Sequence, residues 1–208
     1  MDNGDGMMKR LTRLGLLLML GVSMNAGAGF LGFGGTSWKE EVLLNEGSKI
    51  IVERTVDRGG RHEIGQQPPI KNQSVTFTFP IANESVTWED NFTEDIGGAN
   101  FLLMQLEIRK DIAYLVANPM GCLSYNKWGR PNPPYVVFKY QNKAWNRITL
   151  QELPVVFTTP NLIFSSPDDE ARKAGGALFQ RKKLKLFMNT TSNPNTKPSC
   201  ANRFRMHA

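Results

Sequence analysis

Two cysteines and two histidines in 208 residues close off several chemistries at the outset. No C-x-x-C or H-x-x-x-H spacing occurs, so no zinc-type ligand set can be drawn from the chain, and neither a metal nor a cofactor is expected. Two thiols allow one intramolecular bridge, Cys122 with Cys200, which is too few for a disulfide-built scaffold. A hydrophobic core therefore has to hold the fold. Long apolar runs are missing too: the stretch from Leu14 to Val22 is about half of the ~20 residues a membrane-spanning helix needs. No self-similarity recurs at a period of about 40–50 residues, which argues against propeller blades. No nucleic-acid recognition motif accompanies the basic residues, so nucleic acid is not an expected partner.

What is present begins with a leader. Residues 7–30 read "MMKRLTRLGLLLMLGVSMNAGAGF". Lys9, Arg10 and Arg13 precede the short apolar run, and Ala26, Gly27 and Ala28 supply a small-x-small cleavage site, the three parts of a secretory signal peptide. Residues 1–28 are expected to be removed, with Met1, Met7 and Met8 as alternative starts, and the rest to be periplasmic or secreted. In an oxidising compartment a bridge between Cys122 and Cys200 would persist. The sequence leaves open whether it forms.

Charge is unevenly spread. From Arg172 to the end there are nine Lys and Arg and no Asp or Glu, whereas residues 29–171 hold 13 Lys and Arg against 17 Asp and Glu. A mildly acidic body thus carries a basic tail. Such a tail is a solvated terminus or a contact for an anionic surface, and membrane contact is expected through it alone.

The body reads as β. Around the turn composition Asn45, Glu46, Gly47 and Ser48, two apolar-rich runs alternate, with Ile50 and Val52 on one face and Lys49, Ile51 and Glu53 on the other. Val75, Phe77 and Phe79 alternate with threonines. Val86 and Trp88 follow across a tight connection at residues 80–83. Leu102, Met104, Leu106 and Ile108 are expected on one face of a central strand, and "IAYLVA" is apolar on both faces, as for a strand covered on two sides. "YVVFKYQNKAWNRITL" is a hairpin turning at residues 141–143, and "VVFTT" between Pro154 and Pro160 reads as an edge strand. Ser166 as N-cap, Pro167 at the first helical position and Asp168, Asp169 and Glu170 at the dipole's positive end predict a C-terminal helix. The expectation is a mainly β antiparallel sandwich or small barrel over residues 29–165, a helix in 166–188 and a disordered basic tail over 189–208.

Three stretches carry candidate chemistry. In "CLSYNKWGRPNPPY" the prolines fix φ and stiffen the loop. Tyr125, Trp128 and Arg130 would either present an indole and a guanidinium to a ligand or fold back as a cap on the sheet edge, with Cys122 buried or bridged. In "DRGGRHEIGQQPP", Arg58, Arg61 and His62 form a second binding patch, and His62 beside Asp57 or Glu63 has the parts of a general base without an identifiable nucleophile. "WEDNFTEDIGG" groups Glu89, Asp90, Glu94 and Asp95, but the spacing departs from a calcium-binding loop. Sequons at Asn72, Asn83, Asn91 and Asn189 bear on the chemistry only where the source glycosylates.

The stretches "EEVLLNEGSKIIVERTVDRGGRHEIGQ", "CLSYNKWGRPNPPYVVFKY" and "AWNRITLQELP" together resemble a group of uncharacterised exported proteobacterial proteins. The resemblance covers residues 38–162 and leaves the tail out. It implies a bacterial periplasmic setting and one β-rich domain. It implies no activity, and no functional residue is carried over. The functional expectation is a non-catalytic module that binds a protein, peptide or glycan through residues 122–134, with an inhibitor or immunity-type protein as a sharper variant. The alternative is a cell-envelope hydrolase using Asp57, His62, Glu63 or Glu89.

Overall fold

A computed structural model describes residues 35–154 and 159–174, with the backbone of Phe179–Gln180. Eight short runs, most of them alternating apolar and polar side chains, become strands: β1 Thr36–Leu43, β2 Lys49–Arg58, β3 Ile70–Thr78, β4 Ser85–Asp90, β5 Phe101–Arg109, β6 Ile112–Pro119, β7 Val136–Gln141 and β8 Ala144–Ile148. The first four form one antiparallel sheet in the order β4-β3-β2-β1, and the last four a second in the order β5-β6-β7-β8. A two-residue strand, β9 (Phe179–Gln180), adds in parallel beside Glu40 and Glu41 of β1. The sheets are not closed into a barrel, so of the two expected architectures it is the sandwich that forms. Among the described residues no helix is long and apolar enough to cross a membrane.

The turns follow their sequences. Lys110 and Asp111 join β5 to β6, and Asn142 and Lys143 join β7 to β8, all four with φ between 49° and 61°. Paired positive φ values at a two-residue loop match the twist of the flanking strands. Between the sheets, Val42, Val52, Val75, Phe77, Val86 and Trp88 pack on Phe101, Leu103, Leu106, Leu115, Val136 and Phe138. Ile50 and Val52 point inward and Ile51 outward, as the alternation requires.

Strand β5 departs from the expected pattern. Its register against β6 slips between Leu103 and Gln105. A bulge spends one residue without a partner and so exchanges the faces beyond it. Phe101 and Leu103 face the core before the slip, and Leu106 and Ile108 after it. Met104 instead lies on the outer face with Val116 and Val137, and Leu102 is only half-buried. The expected inward set of Leu102, Met104, Leu106 and Ile108 is right only in its second half.

Segment 159–174 straps the open side of the sandwich. Asn161 stitches the sheets together: its amide donates to Leu43 O at 3.0 Å and Leu106 O at 2.7 Å and accepts from Leu106 N at 2.9 Å. Arg54 and Glu40, 1% and 0% exposed, pair at 3.2 Å. The strap completes that pair, with Ile163 N donating to Glu40 at 2.6 Å and Ile163 O accepting from Arg54 at 2.5 Å. Burial pulls the Arg54 guanidinium below its ordinary value, and Glu40 opposes that. The helix α2, described as Pro167–Lys173, bears the expected proline and acidic first turn. It is shorter than the expected 166–188, since β9 is already extended at Phe179. Ser166 sits at φ 42° with no side-chain cap bond, so it does not cap as expected. Residues 1–28, the core of "VVFTT" at 155–158, and the tail 189–208 lie outside the described residues.

Candidate functional site

All three candidate stretches meet at one end of the sandwich. The β2–β3 connection (residues 59–69), the β4–β5 connection (91–100) and the β6–β7 connection (120–135) are the links at this end. Their contacts are direct. A Cβ placed on Gly60 would stand 3.6 Å from Gly97 O. Ala99 N donates to Ile70 O at 2.9 Å, Phe92 N donates to Asn72 Oδ1 at 2.9 Å, and Lys127 pairs with Asp95 at 2.9 Å. The Lys127 bond, then the Thr93 hydroxyl, hold the Asp95 carboxyl below the usual carboxylate range.

Part of the proline-rich stretch is helical. Gly121–Lys127 form helix α1, which the stiff-loop expectation missed. Its end explains it. Arg130 N donates to Tyr125 O at 2.9 Å and Gly129 N to Asn126 O at 3.1 Å, with Gly129 at φ 82°. This is a Schellman closure, which needs a residue that enters the left-handed region freely. The prolines restrain only residues 131–134, beyond the helix, where the Asn132–Pro133 peptide is cis.

A buried polar network fixes α1 on the sheets. The Asp90 carboxylate accepts from Asn100 N at 2.8 Å, Asn100 Nδ2 at 2.9 Å, Phe101 N at 2.9 Å and Gln73 Nε2 at 3.0 Å. Asn100 passes the connection on. Its carbonyl accepts from Ser124 Oγ at 2.6 Å and Met120 N at 2.7 Å, and its Oδ1 accepts from Trp128 Nε1 at 3.1 Å. Buried polar groups that satisfy one another hold a single geometry, because each broken bond strands a desolvated partner.

The candidates separate under this geometry. Tyr125 is 6% exposed and belongs to the interior. Trp128 is half-buried, its ring 4.7 Å from that of Phe101, with the Arg147 guanidinium 5.5 Å over it. Both residues act as the cap. Arg130 remains exposed, its Nε on Asn126 Oδ1 at 2.8 Å. Arg58 is an internal strut, with Nε and Nη2 on Asp168 at 2.8 and 2.6 Å and Nη1 on Pro68 O at 3.0 Å. Burial works to raise the Asp168 pKa, but the Arg58 bonds and charge outweigh it, so the net shift is downward. Arg61 is exposed, as is His62, whose Nδ1 lies 3.0 Å from Gly60 O. Cys122 is half-buried on α1, and its expected partner Cys200 lies outside the described residues.

Residues of the hydrolase alternative are dispersed among structural tasks. Asp57 accepts from Asn72 at 3.1 Å and Glu63 from Gln66 at 3.2 Å, while Glu89 is exposed next to the inward-facing Asp90. The acidic turn is likewise split, with Asp90 in the interior and Asp95 on Lys127.

Sequence reasoning missed three side chains. Ile64 is 106% exposed on the β2–β3 loop, Leu123 60% on α1 and Phe92 40% on the β4–β5 loop. The signal was faint: Ile64 and Phe92 are lone large apolar residues within polar, turn-forming runs, whereas nothing in the sequence around Leu123 marks it as exposed. Lys71 Nζ stands 5.8 Å over the Phe92 ring. All three side chains stand on links at the same end of the sandwich. Comparisons with protein-family models, curated proteins and solved structures found no match.

Proposed function

We propose that this chain is an exported, periplasmic, non-catalytic interaction module whose contact face is the loop end formed by residues 59–69, 91–100 and α1, and that its partner is a protein. One observation carries the reading: three loops that are distant in sequence each expose a large apolar side chain, Ile64, Phe92 and Leu123, at the same end. An apolar centre with a mixed-charge rim is the composition of a protein contact. The network through Asp90 and Asn100 supports the reading as well, since a rigid face loses little conformational entropy on binding. Export rests on the leader.

Each of these side chains, once buried on a partner, contributes about 1.5–3 kcal/mol. Leu123→Ser should therefore weaken binding by roughly 10–100-fold. The test uses the immobilised chain to capture partners from an extract of exported proteins. Partners held by the wild type and by His62→Ala, and lost with Leu123→Ser, are the expected result. Capture unaffected by Leu123→Ser and Phe92→Ser refutes the loop-end reading, and loss on His62→Ala alone favours the hydrolase. N-terminal sequencing of the exported chain should find it starting close to Gly29.

A further inference from the structure

Four Asn-x-Ser/Thr triplets, at Asn72, Asn83, Asn91 and Asn189, have the acceptor pattern for an N-linked glycan, and the fold separates them. Asn72 is half-buried within β3 with both ends of its amide engaged: Nδ2 donates to Asp57 at 3.1 Å, and Oδ1 accepts from Phe92 N at 2.9 Å. Asn83 is exposed but sits in the tight β3–β4 connection at φ 51°, with its N–H on Phe79 O at 3.0 Å, so the chain doubles back at that point. Asn189 lies outside the described residues.

Asn91 differs from these. It follows the last residue of β4, and its exposed side chain makes no hydrogen bond among the described residues. Its neighbours complete an acceptor. Side chains at every second position of an extended chain share one side, so an extended pentapeptide from Glu89 to Thr93 presents a carboxylate, an amide and a hydroxyl together. Glu89 is exposed, whereas Asp90 between them turns inward to Gln73 and Asn100. The Thr93 hydroxyl meets Lys127 Nζ at 3.3 Å, a long surface contact that a new partner can replace. Bacterial enzymes that glycosylate such triplets also select an acidic residue two positions ahead of the asparagine, a carboxylate that a cationic side chain can pair with. Asn91 alone of the four has one, since Ile70, Ile81 and Phe187 stand at that distance before the others.

We infer that Asn91 is an N-glycosylation site, modified by an oligosaccharyltransferase whose donor is a polyprenyl-pyrophosphate-linked oligosaccharide. In the transfer, Asn91 Nδ2 forms a bond to the anomeric carbon. The bond from that carbon to the pyrophosphate oxygen breaks, its electron pair leaves with the lipid pyrophosphate, and the amide nitrogen gives up one proton. The inference rests on the proposed export, which brings the chain to the side of the membrane where such donors are used. It does not rest on the contact face, although a glycan on Asn91 would stand beside Phe92 and screen it.

The test incubates the purified, folded chain with a bacterial oligosaccharyltransferase and its polyprenyl-pyrophosphate-linked oligosaccharide, with a standard acceptor peptide as the control for activity. Intact-mass spectrometry should show the addition of one glycan, and peptide mapping should place it on Asn91. Asn91→Gln and Thr93→Ala should abolish the addition, and Asn83→Gln should leave it unchanged. Glu89→Gln removes one charge-assisted contact with the enzyme and should slow the addition at least about tenfold. Circular dichroism confirms that each variant is folded. A chain left unmodified beside a converted control peptide, an addition that survives in Asn91→Gln, or a rate indifferent to Glu89→Gln each overturns the assigned acceptor. Because the purified chain meets the enzyme directly, those outcomes are independent of export, which the N-terminal sequencing above tests by itself.

Discussion

Asp90→Asn changes the outline of the side chain hardly at all and should nevertheless be among the most damaging single substitutions in the chain. The carboxylate receives Asn100 Nδ2 on Oδ1 at 2.9 Å, and Phe101 N and Gln73 Nε2 on Oδ2 at 2.9 and 3.0 Å, with Asn100 N close to both oxygens. An amide nitrogen in place of Oδ1 points at the Asn100 Nδ2 donor, and one in place of Oδ2 points at both Phe101 N and Gln73 Nε2, so one or two of the four donors lose their acceptor according to how the amide turns. A hydrogen bond to a charged group stabilises by about 1.5–3 kcal/mol, so the loss of one or two should cost about 1.5–6 kcal/mol. That is a large part of the roughly 5–15 kcal/mol holding an ordinary domain together. For a chain of this size the melting temperature should fall by at least about 3 °C. Urea denaturation followed by tryptophan fluorescence measures the cost and also reports on Trp128, whose indole is held by Asn100. Glu89→Gln, one residue away and exposed, is the control and should change stability by less than about 0.5 kcal/mol. A cost below about 1 kcal/mol for Asp90→Asn would mean that the network does not position α1, and the rigidity assigned to the loop end would go with it.

Asn161→Ala removes the stitch between Leu43 and Leu106, leaves buried backbone groups without partners, and should cost about 2–4 kcal/mol by the same denaturation assay. The Arg58 and Asp168 strut predicts an acid transition. Because Asp168 is held below its unfolded value of about 3.9, its contribution is complete above roughly pH 4 and is lost as the pH falls through the depressed folded value. Urea midpoints between neutral pH and pH 2 should show that loss, and Asp168→Asn should lower the midpoint at pH 7 and flatten the acid limb. Gly129→Ala places a Cβ in the left-handed region at φ 82° and should cost about 1–2 kcal/mol, visible as a lower melting temperature. Glu107 has the opposite pH sign. Burial raises its pKa despite the bonds from Asn45 N, so its penalty is absent in acid and grows as the pH rises through the folded value. Glu107→Gln, which keeps an acceptor for Asn45, should match wild type in acid and equal or exceed it at neutral pH.

The sheets were legible because a strand's two-residue period is written directly in the chain, as at Val75, Phe77 and Phe79. Local backbone events were less so. The bulge beside Met104 costs one unpaired residue and leaves no composition mark, yet it exchanges the faces of everything before and after it. Helix α1 was obscured by the prolines behind it, although Gly129 after Trp128 is the residue a helix end of that kind requires. The proposed contact face was legible only in pieces. The three stretches that meet at this end stand out in the sequence, but which of their side chains point outward is decided by tertiary partners: Asp168 draws Arg58 inward, the core takes Tyr125, and Ile64 stays exposed. Arg58 and Tyr125 thus serve the interior, while Arg61, His62 and Arg130 share the surface with Ile64, Phe92 and Leu123.

The Arg54 and Glu40 pair also dictates an order of events. Both residues lie in the first two strands, but the backbone groups that add to their hydrogen bonding belong to Ile163, 109 and 123 residues further along. A nascent chain that has reached only the end of β8 can zip its hairpins together but would have to bury a guanidinium and a carboxylate with nothing but each other, which desolvation opposes. Closure of that half of the molecule therefore waits for nearly the whole polypeptide, as contacts so distant along the chain slow folding in general. Under the proposed export, such a late keystone would favour threading through a translocation channel, because the buried pair is not closed until the strap arrives.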